Sequence, residues 1–166
     1  MTRTLLVIDV QNDYFPGGAL PLWQAEETES RIVAAIGAAR ARGDRTVLVR
    51  HESQATSGLF AARGLGAAIR SAILEAAGDA PVVVKRHADA FQDTTLSGLL
   101  DGTDELVIAG MMTQNCVVFT AMSREADAYR VMVAGDLCTA PTEIVHRIAL
   151  NALGSKGKVM GPDPAG

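Results

Sequence analysis

Leu106-Val107-Ile108-Ala109-Gly110-Met111-Met112-Thr113-Gln114-Asn115-Cys116-Val117-Val118 passes from a continuous apolar run, through a glycine and a short polar turn, into sequence that suits a helix. An uninterrupted apolar run is the mark of a strand covered on both faces, so the stretch reads as strand, turn and helix start in succession. Cys116 then stands at the carboxyl end of a strand and near a helix N-terminus. Backbone N–H groups and the positive end of the helix dipole favour a thiolate there, which predicts a thiol pKa drawn down from about 8.5 toward roughly 3.5 to 7.5.

The same pattern repeats outward from that stretch. Leu5-Leu6-Val7-Ile8 ends in Asp9-Val10-Gln11-Asn12-Asp13, Thr46-Val47-Leu48-Val49 runs into Arg50-His51-Glu52, and Pro81-Val82-Val83-Val84 ends on Lys85-Arg86-His87. A fifth strand over Arg130-Val131-Met132-Val133-Ala134 stops at Gly135-Asp136, and Lys158-Val159-Met160 reads as a weak sixth. Between them the periodicity predicts helices. One runs from about Glu26 to Arg42, with Ile32, Val33 and Ile36 on one face and Gly43 just past its end. Shorter ones cover about Ala67 to Ala77, with Ile69 and Ile73 together, Thr95 to Leu100, and the stretch after Cys116 to near Ala128. The last, Pro141 to Leu153, has Pro in its first turn and Ile144, Val145 and Ile148 facing inward.

Strands alternating with helices imply right-handed βαβ units, and hence an α/β fold: a three-layer α/β/α sandwich on a mainly parallel six-stranded sheet. Ligands in such folds bind outside the carboxyl ends of the strands. Three of those ends carry reactive side chains, Asp9, Lys85 and Cys116. In the doubly wound order 3-2-1-4-5-6, Lys85 starts two strands from Asp9, roughly 10 Å at about 4.8 Å per strand, a gap that its long side chain and the sheet twist must close.

The chain has 166 residues, 48% of them hydrophobic, enough for one domain over residues 1–160, with a disordered tail at 161–166. Fifteen Lys and Arg against nineteen Asp and Glu give a net charge of -4 without a basic stripe, which excludes nucleic acid as an expected partner. The first apolar run is cut by Asp9, and no run approaches the ~18 residues of a membrane span, so a soluble cytoplasmic protein is expected. Cys116 and Cys138 are then free thiols, Cys138 a small core residue. The turns after strands one and four lack a phosphate-binding Gly-rich loop, and no cofactor is expected.

A nucleophilic cysteine needs a base, a cation beside the thiolate, and donors for the developing oxyanion. Three motifs supply them in order: Val7-Ile8-Asp9-Val10-Gln11-Asn12-Asp13-Tyr14-Phe15, then Lys85 with Phe91 six residues on, then Gly110 to Val117. Over about residues 4 to 140 these motifs resemble the isochorismatase-like cysteine hydrolases, which include nicotinamidases and N-carbamoyl amidases. The resemblance implies Asp9 as general base, Lys85 as the cation of the network and Cys116 as nucleophile. It implies an oxyanion hole from the N–H groups of Met112 and Cys116, with a cis peptide between Met111 and Met112. The implied reaction is attack on a carboxamide, loss of ammonia or an amine, and hydrolysis of the thioester. Homodimers or larger homo-oligomers are common in the family. Its metal-dependent members hold an ion with an Asp-x-His element after strand two; here that region reads Arg50-His51-Glu52-Ser53, and no metal site is expected.

For the substrate pocket the candidates are Gln11, Phe15, Trp23, His51, Phe60, Phe91 and Asn115, since small-ligand sites are largely apolar with a few placed polar groups. His51 is equally compatible with a structural role, and each aromatic with core packing. His87 and His146 read as surface or supporting residues, and Asp13 as a turn cap. Two other functions fit the fold: vinyl-ether hydrolysis of isochorismate through the strand-one acid, and a non-catalytic relative that binds a ligand.

Overall fold

The strand that sets the frame is β1 (Arg3–Ile8), buried at every position after Arg3 in a computed structural model that describes residues 1–161. It lies at the centre of a five-stranded sheet in the order β3-β2-β1-β4-β5, with β2 (Arg45–His51), β3 (Val82–Lys85), β4 (Glu105–Met111) and β5 (Arg130–Thr139). All four pairings are parallel. Alternate residues of each strand feed opposite faces. Leu5, Val7, Leu48 and Val107 meet α1 (Ala25–Arg42) and α2 (Ser71–Ala77) through Ile32, Ile36 and Ile73. Leu6, Ile8, Val49 and Ile108 meet α3 (Leu96–Leu99), α4 (Val118–Ala121) and the end of α5 (Glu143–Gly154) through Leu96, Ala121 and Leu153. This is the expected α/β sandwich, and both layers follow from the apolar alternation of the same strands.

Four local expectations are corrected. The sixth strand shrinks to a single bridge, Val133 with Val159, so the sheet has five strands. Strand five does not stop at Gly135: it bulges, the pairing jumping from Ile108–Val133 to Gly110–Cys138, and continues to Thr139. Gly135 lies in this bulge, where an added Cβ would come within 2.8 Å of Leu150. Helix α5 turns a different stripe inward: His146, Ala149 and Leu153 are buried, while Ile144 and Ile148 are exposed. The segment after Cys116 is also broken rather than one helix, with α4 only four residues long and a separate 3-10 turn at Glu125–Ala128. The tail expected from Gly161 falls, at residues 162–166, outside the described residues. No described helix is long and apolar enough to cross a membrane.

Two glycines fix the approach of the central strands to the site. Gly110, at φ 121°, lets β4 pass so close to β1 that a Cβ would lie 2.0 Å from the Ile8 carbonyl oxygen. Gly66 rests on Asp13, whose carboxylate would be 2.3 Å from an added Cβ. Asp13 accepts hydrogen bonds from the backbone N–H groups of Phe60 and Ala19. The acid expected to cap one turn thereby joins two loops and pins Phe60 over the carboxyl end of β1.

Candidate active site

Three strand ends converge on one point. Asp9 follows β1 directly, in the left-handed region at φ 53°, a conformation that Asp tolerates better than most residues. Lys85 ends β3, an edge strand in which Val83 and Lys85 point inward and Val82 and Val84 outward. Its side chain runs beneath the end of β2 and brings Nζ to 2.9 Å from Asp9 Oδ2, which closes the two-strand gap. Cys116 sits in a π-helical turn, Thr113–Val117, entered from β4 through a cis peptide between Met111 and Met112. The turn folds back on Met112, whose carbonyl accepts from the N–H groups of Asn115 and Val117.

The Lys85 ammonium uses its three N–H groups on three acceptors: His51 Nδ1 and the His87 carbonyl, each at 2.9 Å, and Cys116 Sγ at 3.2 Å. Asp9 is held differently. Its Oδ2 lies 2.9 Å from Nζ in a fully buried ion pair, and its contacts with Lys85 and Cys116 both favour the ionised form. A buried carboxylate in that state is a strong proton acceptor. Burial pushes its pKa above the ordinary 3.8, with the Lys85 charge pulling the other way.

The thiol corrects the expectation from helix-terminus chemistry. Cys116 is almost fully buried, and burial together with the Asp9 charge raises its pKa to about 12, against the downward pull of Lys85. The turn offers no long helix whose dipole could reverse this, because α4 has only four residues. A thiol so placed rests protonated beside the ion-paired carboxylate of Asp9. A carboxylate oxygen of Asp9, a ring nitrogen of His51 and Cys116 Sγ all lie within 4.8 Å of one another. Such an arrangement can pass the thiol proton to Asp9 as sulfur attacks, with the Lys85 charge beside both groups throughout.

Those three donors are the one grouping among the described residues with the spacing of a metal site. Lys85 Nζ already contacts all of them. A divalent ion there would have to displace a buried ammonium, so the donor set fits the lysine and not a metal.

The other expected site residues divide. His51 is half-buried, with burial and the neighbouring charges of Lys85 and His87 lowering its pKa to about 4, so its ring is neutral at pH 7. Phe60 packs against that ring at 5.6 Å and edge-on to Tyr14 at 4.8 Å. Asn115 is half-buried on the cysteine turn, and Met112 is buried at its entrance. Gln11 does not face a pocket: it is fully buried, its Nε2 donating to the carbonyls of His51 and Ala67 and its Oε1 accepting from the His51 N–H. Phe15 is a core residue covered by the Arg70 guanidinium at 4.1 Å. Phe91 stacks on Tyr129 in the same apolar cluster as Cys116 and supports the turn from behind. Cys138 is buried and bonded to the Ala134 carbonyl. Trp23 lies 5.8 Å from His146, and His146 Nδ1 is 2.8 Å from Thr113 Oγ1. Of the surface and supporting roles that the sequence left open for His146, the structure gives it the supporting one, on the i, i+3, i+7 stripe it shares with Ala149 and Leu153.

The isochorismatase domain model matches residues 3–161. The isochorismatase family protein YddQ of Bacillus subtilis is 32% identical over 145 residues, 86% of this chain and 80% of that protein. An isochorismatase family protein from Desulfovibrio vulgaris superposes with a TM-score of 0.87 at 31% identity, covering 95% of this chain and 92% of its own. Nicotinamidase PncA from Bacillus subtilis superposes with a TM-score of 0.86, covering 98% and 100%; at 23% identity this is a likeness of fold.

Proposed function

The chain belongs to the isochorismatase family, and we propose that it is a cysteine-dependent hydrolase that cleaves a carboxamide or related C–N bond of a small molecule through a thioester on Cys116. The observation that carries the reading is the buried cluster in which one ammonium, Lys85, touches both the Asp9 carboxylate and the Cys116 sulfur, so that base, cation and thiol stand in mutual contact.

In the proposed cycle Asp9 accepts the Cys116 proton as sulfur attacks the carbonyl carbon. The net charge of the buried cluster is unchanged by that transfer, which lowers its cost in a low-dielectric site. The N–H groups of Met112 and Cys116 receive the developing oxyanion, and Lys85 steadies the negative charge as it moves from oxygen to sulfur. Asp9 then hands the proton to the leaving nitrogen, and ammonia or an amine departs. Water, deprotonated by Asp9, hydrolyses the thioester and returns the thiol. Phe60, His51 and Asn115 form the rim on which the acyl part rests. The exposed apolar side chains Phe119, Met122, Ile144 and Ile148 support a homo-oligomer.

Ammonia release over a carboxamide library, with isochorismate included, tests the reading. The wild type is expected to turn over at least one amide and Cys116→Ala none. Undiminished ammonia release by that variant would overturn it, and isochorismate hydrolysis surviving in Cys116→Ala would assign vinyl-ether chemistry to Asp9 instead.

A further inference from the structure

We propose that His51 is a specificity residue, a neutral Nε2–H donor aimed at the substrate, and that the preferred substrates carry a hydrogen-bond acceptor, such as a ring nitrogen, a carbonyl or a carboxylate, close to the scissile carboxamide. The inference deepens the amidohydrolase reading and rests on it.

The geometry fixes the tautomer. Lys85 Nζ has no lone pair, so at 2.9 Å it donates to His51 Nδ1, and the ring hydrogen of a neutral imidazole must sit on Nε2. Protonation is disfavoured by the adjacent ammonium and by partial burial. Nε2 makes no hydrogen bond among the described residues, and it is not among the buried polar atoms left without a partner. It is therefore a donor that reaches accessible space, on a ring of which one nitrogen lies within 4.8 Å of an Asp9 oxygen and of Cys116 Sγ.

The ring is held by a dedicated frame. Gln11, buried completely, devotes its side-chain oxygen to the His51 N–H at 2.8 Å and shares its nitrogen between the carbonyls of His51 and Ala67, each at 2.7 Å. Phe60 covers one ring face, and the Asp13 carboxylate pins the Phe60 backbone at 2.7 Å. Lys85 fixes the rotation of the ring about its Cβ–Cγ bond. Such a donor adds little to the chemical step, which Asp9, Lys85 and Cys116 complete among themselves. Its effect lies in discrimination: a site with a fixed donor penalises a ligand that leaves the donor unpaired.

The test compares nicotinamide and picolinamide, whose ring nitrogens are acceptors, with benzamide, their near-isostere without one. Dissociation constants are measured on the Cys116→Ala protein, which needs no turnover, and kcat/KM on the parent. In each background His51 is kept, replaced by Gln, or replaced by Phe. Binding of at least one pyridine amide is expected to exceed that of benzamide by roughly tenfold with His51. The preference should persist in His51→Gln, which retains an N–H near the Nε2 position, and fall to about one in His51→Phe. A preference that is absent with His51, or equal in His51→Phe and the parent, overturns the inference. Nitrogen-15 NMR of the His51 ring gives an independent reading: a hydrogen on Nδ1 at pH 7 overturns it as well. A pyridine-amide preference on the Cys116→Ala protein, combined with undiminished turnover by that variant, would sink the thioester mechanism while leaving the His51 donor intact.

Discussion

Replacing Lys85 with Met removes the one cation that contacts the fully buried Asp9 carboxylate among the described residues, and the structure sets the expected size and pH dependence of the loss. Breaking a buried ion pair from one side costs about 3–5 kcal/mol, because the remaining charge is stranded. Asp9 can escape part of that cost by taking a proton. Its folded-state pKa already lies above 3.8, so its contribution to stability is fullest below 3.8 and is lost as the pH rises through the folded pKa. Lys85 opposes this rise by its charge and its contact, and in Lys85→Met both are gone, so the loss extends to higher pH. Between the two folded pKa values, the stability gap between parent and variant should widen by about 1.4 kcal/mol per pH unit before levelling off. Urea unfolding followed by Trp23 fluorescence from pH 5 to pH 8 measures it. In Asp9→Asn/Lys85→Met, where no charge is stranded, most of the stability should return. A gap independent of pH, together with no recovery in the double variant, would refute the reasoning.

Four further outcomes follow from the same structure. Activity needs ionised Asp9, so kcat/KM should fall on the acid side at a pKa above 3.8; a pH–rate profile checks this, and a limb below 3.8 would contradict it. Gly110→Ala drives a Cβ into the Ile8 backbone at positive φ and should cost about 3 kcal/mol or more, read as a large drop in denaturation midpoint. Gln11→Ala leaves the buried N–H of His51 without its acceptor and should cost about 1–3 kcal/mol in stability, with the pyridine-amide preference reduced in the folded fraction. Ile148→Glu should shift sedimentation toward a smaller species if α5 lies in a contact between copies; an unchanged coefficient would place that contact elsewhere.

The sheet was legible because parallel strands buried on both faces leave continuous apolar runs, as in Leu5–Ile8 and Leu106–Ala109. Where a strand bulges the signal fails: Gly135-Asp136 reads as an end, yet the chain skips those residues and resumes pairing at Cys138. Lys158-Val159-Met160 has strand composition but only one bridging position. In α5 the i, i+4 isoleucines suggested the inward face, and the fold instead uses His146, whose ring anchors Thr113. The three reactive residues could be named from their strand ends, but not the manner of their meeting. That Lys85 reaches Asp9 from an edge strand depends on sheet twist, and the resting state of Cys116 depends on burial that spacing does not report. Gln11 was expected among the few placed polar groups of the pocket; its partners are backbone groups far away in sequence, which no local pattern reveals.

The central claim is that Cys116 sulfur becomes covalently bonded to the acyl part of a small amide. Rapid acid quench of the enzyme during turnover of an amide found in the library screen, followed by intact mass and peptide mapping, measures it directly. The account predicts a mass gain equal to the acyl group, located on Cys116, absent in Cys116→Ala and accumulating to a higher level when hydrolysis is slowed. Steady turnover with no adduct on Cys116, or an adduct on Cys138, would contradict it.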